Sequence, residues 1–238
     1  VSEKLDGVRA WWTGERFVSR QGNPFFAPAW FTAGFPTTAL DGELWIGRKA
    51  FQETVSVVRR QDAGEQWKEV QYVVFDAPAS GGSFEQRWRA LRDSGLERRA
   101  PQLRVLQQTV CSGLDGLRAE LARVETLGGE GLMLRQPESL YQAGRSSSLL
   151  KVKTFHDAEA VVIAHQAEQG RHRGRLGALL VALANGTQFR VGSGFTDAQR
   201  ESPPAMGSVI TFRYQELTDG GVPRFPTFVR TRAGLSAD

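Results

Sequence analysis

The sequence predicts an α+β chain in two domains, a mixed helix-and-sheet domain over residues 1–154 and a small all-β barrel over residues 155–238. Three observations predict it. Helical periodicity is confined to the first part of the chain. Short apolar runs bounded by glycine and turn residues recur along its whole length. After about residue 155 only strand patterns remain. The composition agrees: with 40% hydrophobic and 24% charged among 238 residues, the chain is neither collagen-like nor disordered. No uncharged apolar run approaches the ~18 residues of a membrane helix, so no membrane partner is expected.

Residues 8–20, VRAWWTGERFVSR, read as two short strands around a turn at Thr13 to Glu15, which leaves Lys4 and Asp6 just ahead of a strand. ALDGELWI at 39–46 is a strand whose Asp-Gly projects charge from an apolar background, and 51–60 is helical. QYVVFD at 71–76 is a buried strand. Phe84, Trp88 and Leu91 lie at helical spacing within 84–94. A further helix is capped by Ser112, carries Leu114, Leu117, Leu121, Val124 and Leu127 on one face, and ends at Gly128-Gly129. Strands follow at 131–135 and 148–153.

The second part offers five strands, 158–165, 176–184, 187–192, 208–214 and 225–232, and no helix. Asn185-Gly186 reads as a type I′ hairpin. Five strands in some eighty residues fit a small closed barrel such as an OB-fold. No Gly/Ser or Pro linker marks the boundary near Thr154 to Asp157, and no internal repeat is found.

The net charge of +4 is weakly suggestive of an anionic partner. Its make-up says more. Only Lys4, Lys49, Lys68, Lys151 and Lys153 are lysines among 30 basic residues, so each retained lysine is a candidate for chemistry that needs an amine. The single cysteine, Cys111, excludes an intramolecular disulfide and a multi-thiolate zinc site. The chain opens on Val1 in strand-like sequence without an initiator Met, and the expectation is that something upstream is missing, for which a processed export signal, a truncation and a disordered leader are equal alternatives.

Three of the five lysines fall in two short segments. SEKLDGVRA places Lys4, Asp6 and Arg9 before and within a strand, with Lys4 and Asp6 on one face by alternation. SLLKVK aims Lys151 and Lys153 into one space, and like charges aimed together need an anion between them. A phosphate site is expected there; the plain alternative is an edge strand protected by lysines. Glu43 in LDGEL and Glu130 in GGEGLMLR stand in or at the head of apolar strands, where an unpaired charge is costly. A hard cation such as Mg²⁺, which takes one or two carboxylates beside phosphate oxygens, would satisfy both; the alternative is pairing with Arg9 or Arg20. Phe75 ends a buried strand and could stack on a base, although an aromatic there is more often core.

EKLDGVRA, SRQGN, LDGELW, VVFDAP, EGLMLR and LLKVKTF, in that order, closely resemble the nucleotidyltransferase motifs of ATP-dependent DNA ligases. YQAGRSSSLLKVK looks like the family's approach to its last catalytic strand, and RFPTFVRTR resembles the arginine-rich segment near the end of its OB domain. The length is similar to that of the minimal E-type ligases of bacteria, which implies a periplasmic location, with a cytoplasmic one as the alternative.

The resemblance implies a nucleotidyltransferase (adenylation) domain followed by an OB-fold domain that swings to close on nicked double-stranded DNA, in a monomer. It implies ATP and Mg²⁺ as cofactors, with Mn²⁺ as an alternative, and a covalent AMP on Lys4. Lys151 and Lys153 would hold the phosphate, Phe75 would stack on adenine, and Asp6 would share the nucleotide site. Glu43 would contact ribose or metal, and Glu130 would hold the metal. Arg9 and Arg20 would position ribose and the 5′-phosphate of the nick. Gly170 to Arg175 offers Arg171, Arg173 and Arg175 to the DNA backbone. The family's terminal arginine segment continues into an acidic residue and a lysine, whereas here Arg230-Thr231-Arg232 runs into Ala233-Gly234. Arg224, Arg230 or Arg232 is therefore expected to serve the pyrophosphate. Two rivals remain at this point: an RNA ligase or capping-type guanylyltransferase, and a noncatalytic OB-type nucleic-acid binder.

Overall fold

The structure is a computed structural model that describes residues 1–62, 64–167, 174–218 and 220–236, with side chains described as far as Arg232. The chain divides into two compact units, Val1–Lys153 and Thr154–Asp238.

The first unit runs β1 (Ser2–Glu3), β2 (Val8–Trp12), β3 (Phe17–Ser19), β4 (Pro24–Phe25), β5 (Leu40–Trp45), α1 (Phe51–Val58), β6 (Gln71–Asp76), α2 (Phe84–Asp93), α3 (Leu96–Arg99), β7 (Leu103–Val105), α4 (Leu114–Thr126), β8 (Leu132–Arg135) and β9 (Leu149–Val152). Six strands form one sheet in the order β4-β3-β2-β5-β6-β7, and three form a second in the order β1-β8-β9. Alternation decides what each face of the large sheet carries. Ala10 and Trp12 of β2, Leu40 and Leu44 of β5, and Tyr72 and Val74 of β6 bury into a core with Phe17, Phe31, Val58, Trp67 and Leu103. The intervening Arg9, Asp41, Glu43 and Phe75 are left for the opposite face, where the cavity described below opens.

Two local devices shape that face. Asp41 pairs with Asp76 in the β5–β6 register while Gly42 pairs with Val74, so Phe75 is an extra residue in β6. This bulge turns Asp76 off the core face that strict alternation would give it, and both Phe75 and Asp76 line the cavity. At Gly7, a Cβ would come within 2.5 Å of the Leu44 carbonyl oxygen and 3.0 Å of Glu43 Cγ, so only glycine lets the chain pass this close to β5.

The expected helices are present, with α4 departing from expectation in its cap and its buried face. Ser83 and Gln86 form a reciprocal capping box on α2, whose buried face includes Arg87. On α4 the N-cap is Gly113, without a side-chain bond, and only Val124 is fully buried. Leu114 and Leu127 are exposed, so the expected apolar stripe is only partly used and Ser112 does not cap.

The second unit contains β10 (His156–Ala167), β11 (Leu176–Ala182), β12 (Gln188–Val191), α5 (Asp197–Glu201), β13 (Ser208–Tyr214) and β14 (Thr227–Ser236). The five strands form an antiparallel sheet ordered β12-β11-β10-β13-β14 around a core that includes Val162, Leu179, Val181, Ile210, Phe212 and Phe228. The expected closed barrel is not formed among the described residues. Past the end of the short β12, Ser193 forms an isolated parallel bridge to Thr227 of β14. The chain then enters α5, a five-residue helix with a Thr196–Gln199 capping box, too short to show a period in sequence. The Asn185-Gly186 hairpin also differs from expectation: Gly186 has φ of 82° while Asn185 is not among the positive-φ residues. Gly186 N–H donates to the Leu183 carbonyl and Leu183 N–H to Thr187, which is a three-residue loop with glycine in the left-handed position. No helix among the described residues is long and apolar enough to cross a membrane.

Candidate active site

A cavity of about 170 Å³ lies between the two sheets of the first unit. Ser2, Glu3, Lys4 and Leu5 enter it from β1 and the segment after it, Arg9 from β2, Glu43 from β5, Phe75 and Asp76 from β6, Met133 and Arg135 from β8, and Leu149 and Lys151 from β9, with Phe84, Leu106 and Gln108 completing the wall. Of the sequence candidates, Lys4, Arg9, Glu43, Phe75 and Lys151 thus share one space.

Lys4 is fixed by the small sheet. The β1–β8 ladder pairs Glu3 with Leu132, and Lys4 N–H donates to the Gly131 carbonyl at 2.8 Å. Lys4 therefore lies in the link before β2 rather than in a strand, beside the start of β8. Its Nζ donates to Glu130 Oε2, and Lys153 Nζ donates to Glu130 Oε1. The anion expected between lysines is here supplied by the chain's own Glu130, and it joins Lys4 to Lys153 rather than Lys151 to Lys153. Partial burial opposes the Glu130 charge, but the hydrogen bonds from Lys153 and Lys4 prevail and hold its carboxyl below the ordinary value.

Glu43 has a different environment. It accepts the Gly7 N–H at 2.7 Å. Burial pushes its carboxyl up to about 7 against the pull of Gly7 and Lys4, with Glu130 and Asp6 adding to the rise. Asp6 thus stands near Glu43 while lying outside the cavity lining. Arg9 is the direct cross-strand partner of Glu43, yet its guanidinium turns to Asp41, donating from Nε at 3.1 Å and from Nη2 at 2.6 Å. Neither glutamate is paired with Arg9, so the alternative of a simple arginine salt bridge does not apply to them. Arg20 is exposed in the turn after β3 and is not part of the cavity.

A polar cluster that sequence reasoning did not find shares a neighbouring hollow with Phe75. Asp41 and Asp76 are each 2% exposed. Tyr141 hydroxyl donates to Asp41 Oδ2 at 2.9 Å. Asp76 accepts Arg87 Nε at 2.7 Å and Nη2 at 3.0 Å, Arg135 Nη2 at 3.0 Å and its neighbour Ala77 N–H at 2.9 Å. Burial depresses the Arg135 guanidinium below its ordinary value, and its cation lies 5.0 Å from the Phe84 ring. Asp41 was legible, since it is two residues from Glu43 on one strand face. Asp76 was hidden by the bulge, and Tyr141 by its place in an irregular segment.

No group of three or more His, Cys, Asp or Glu able to hold a metal occurs among the described residues. Glu43 and Glu130 nonetheless fit Mg²⁺, which takes one or two carboxylates and completes its shell with water and phosphate oxygens. The Glu43 carboxyl gains most from a nearby cation, since burial disfavours its charge.

In the second unit, Arg175 pairs with Glu201 at 2.6 Å, and Arg171 and Arg173 lie outside the described residues. Arg224 donates to Glu216 at 2.7 Å and Arg232 to Glu159. Arg230 is exposed on β14 opposite Thr211. Two of the three arginines expected to meet pyrophosphate are therefore already paired with carboxylates.

Residues 1–153 match the family described as ATP dependent DNA ligase domain, and residues 169–232 match the DNA ligase OB-like domain. The chain belongs to the ATP-dependent DNA ligases. It is 39% identical over 232 residues to a DNA ligase of Haemophilus influenzae, covering 98% of this chain and 86% of that one. It is 30% identical over 168 residues to a DNA ligase of Thermococcus onnurineus, covering 58% of this chain but only 30% of that larger ligase. A solved structure of a Lig E DNA ligase, described as binding DNA with a minimal scaffold, superposes with a TM-score of 0.89 at 43% identity, covering 97% of this chain and 91% of that chain. Chlorella virus DNA ligase-adenylate superposes with a TM-score of 0.55 at 27% identity, covering 97% and 91%. The ligase family is ATP-dependent, acts on DNA and joins strands at nicks. This placement decides against the RNA-modifying and noncatalytic rivals.

Proposed function

We propose that this DNA ligase seals 5′-phosphate/3′-hydroxyl nicks in duplex DNA through AMP carried on Lys4. The observation that carries the assignment is the place of Lys4: it lines the cavity together with Glu43, Lys151, Phe75 and Met133, and its amine is hydrogen-bonded to Glu130.

In the first step Lys4 Nζ attacks the α-phosphorus of ATP. A phosphorus–nitrogen bond forms, the bond to the bridging oxygen breaks, the nitrogen sheds its proton to solvent, and pyrophosphate leaves. Phe75 and Met133 offer apolar surface to the adenine, while Lys151 and Lys153 stabilise the negative charge that develops on the phosphate. Arg9, with two of its N–H groups on Asp41, keeps its remaining donors for ribose and for the 5′-phosphate of the nick. In the second step an oxygen of that 5′-phosphate attacks the AMP phosphorus, and Lys4 departs and regains its proton. In the third, the 3′-hydroxyl attacks the 5′-phosphorus, its proton passes to solvent, the bond to the AMP phosphate breaks, and AMP leaves. Positioning and electrostatics carry most of each transfer. Glu43 and Glu130 would hold Mg²⁺, which when bound supplies charge neutralisation at the phosphates. The DNA is gripped mainly through its phosphates, by basic residues of the second unit among them Arg171, Arg173 and Arg175, and the protein acts as a monomer.

The steps are separated by Lys4→Ala. The variant is expected to lose AMP transfer to protein and to DNA while still sealing a nick that already carries 5′-AMP. Sealing of an ordinary nick by Lys4→Ala in ATP would overturn the assignment.

A further inference from the structure

Tyr141 belongs to the irregular segment between β8 and β9, strands of the small sheet, yet its hydroxyl is bonded to Asp41 of the large one. Asp41 in turn holds Arg9 through two N–H groups. The Tyr141 ring lies 6.1 Å from the Trp11 ring and 5.9 Å from the Arg87 cation. A buried aspartate with two free oxygens could hold an arginine in several ways; here Oδ2 is shared between the Tyr141 hydroxyl and Arg9 Nη2, and Oδ1 takes Arg9 Nε. Burial, followed by the charge of Asp41 and the hydrogen bond to it, pushes the phenol up to about 12, so Tyr141 remains a proton donor throughout the neutral range.

We infer that Tyr141 is a positioning residue of the ligase reaction, fixing the Asp41 carboxylate so that the Arg9 guanidinium is held in one orientation toward the nucleotide and the nick phosphate. The inference rests on the reading that Arg9 touches substrate. It also gives the segment 136–148 a role: its seating over the large sheet sets the aim of an arginine that the segment itself does not contain.

The test is a double-mutant cycle in the full chain, reading the single-turnover rates of lysine adenylylation and of AMP transfer to a nicked duplex. Tyr141→Phe keeps the ring contacts and removes only the hydroxyl, and Asp41→Asn keeps the shape and removes the charge. Each is expected to slow the transfers about tenfold, the usual consequence of losing one hydrogen bond to a charged group. In the Arg9→Ala background both are expected to be silent, because a residue that acts through Arg9 has nothing left to position. Equal slowing by Tyr141→Phe with and without Arg9 would overturn the inference, as would wild-type rates in Tyr141→Phe. Wild-type rates in Arg9→Ala would instead remove the reading on which it rests, and are told apart by that single variant.

Discussion

Lys4 and Glu130 are 126 residues apart in sequence and share a hydrogen bond, Nζ to Oε2, that joins the segment after β1 to the start of β8. With Lys153 on Oε1, both oxygens of the candidate metal-binding carboxylate carry an ammonium group. A divalent cation and Lys4 therefore compete for Glu130. In Lys4→Ala without nucleotide, Mn²⁺ is expected to bind up to about fivefold more tightly, the worth of one partly exposed ion pair. Titration followed by electron paramagnetic resonance checks this, and weaker binding in the variant would contradict it.

Glu43 gives the fold a pH dependence. Its carboxyl is raised by burial from an ordinary 4.5 to about 7. Between those values the folded chain binds a proton that the unfolded chain has released, so stability falls as pH rises through the window and the loss is complete above about 7. Glu43→Gln is expected to be free of this loss. In denaturant melts with chelator present, its stability relative to wild type should rise by on the order of 2 kcal/mol between pH 5 and pH 8. A constant difference across that range would contradict the environment described for Glu43.

The Asp76–Arg87 pair is buried on both sides, at 2% and 0% side-chain exposure. Arg87→Leu leaves the buried Asp76 with Arg135 and the Ala77 N–H and is expected to cost about 3–5 kcal/mol. Arg89→Ala, which breaks an exposed pair with Glu85 on the same helix, is expected to cost under about 1 kcal/mol. Urea unfolding of the two variants checks the contrast.

Nick binding is expected to weaken steeply with salt, as phosphate contacts release counterions. Residues 155–238 carry nine basic and eight acidic residues, so local groups rather than a global field must act. Exchanging Arg171 and Arg173 for alanine is expected to lower the slope of log affinity against log salt by about 2. Fluorescence anisotropy with a nicked duplex measures it, and an unchanged slope would place the grip elsewhere.

The strands that carry Arg9, Glu43, Phe75 and Lys151 were legible because each has an alternating or buried apolar pattern interrupted by few polar residues, and Lys4 and Glu130 flank such strands. What sequence could not show has physical causes. A β-bulge at Phe75 reverses the face of Asp76, which periodicity assigns to the core. Tyr141 lies where no period exists. Arg9 chooses diagonal Asp41 over its direct neighbour Glu43, a decision made by side-chain geometry. On α4, the leucine spacing is regular while only Val124 is fully buried, since periodicity shows which residues share a face and not how much of that face the sheets cover.

The measurement that tests the central claim most directly is the intact mass of the protein after incubation with ATP and Mg²⁺, followed by addition of nicked duplex, with Lys4→Ala in parallel. The account predicts a gain of one AMP that is absent in the variant and is discharged when the nick is added, with the sealed strand appearing. An AMP gain of equal size in Lys4→Ala, or no gain in the wild-type protein, would contradict it.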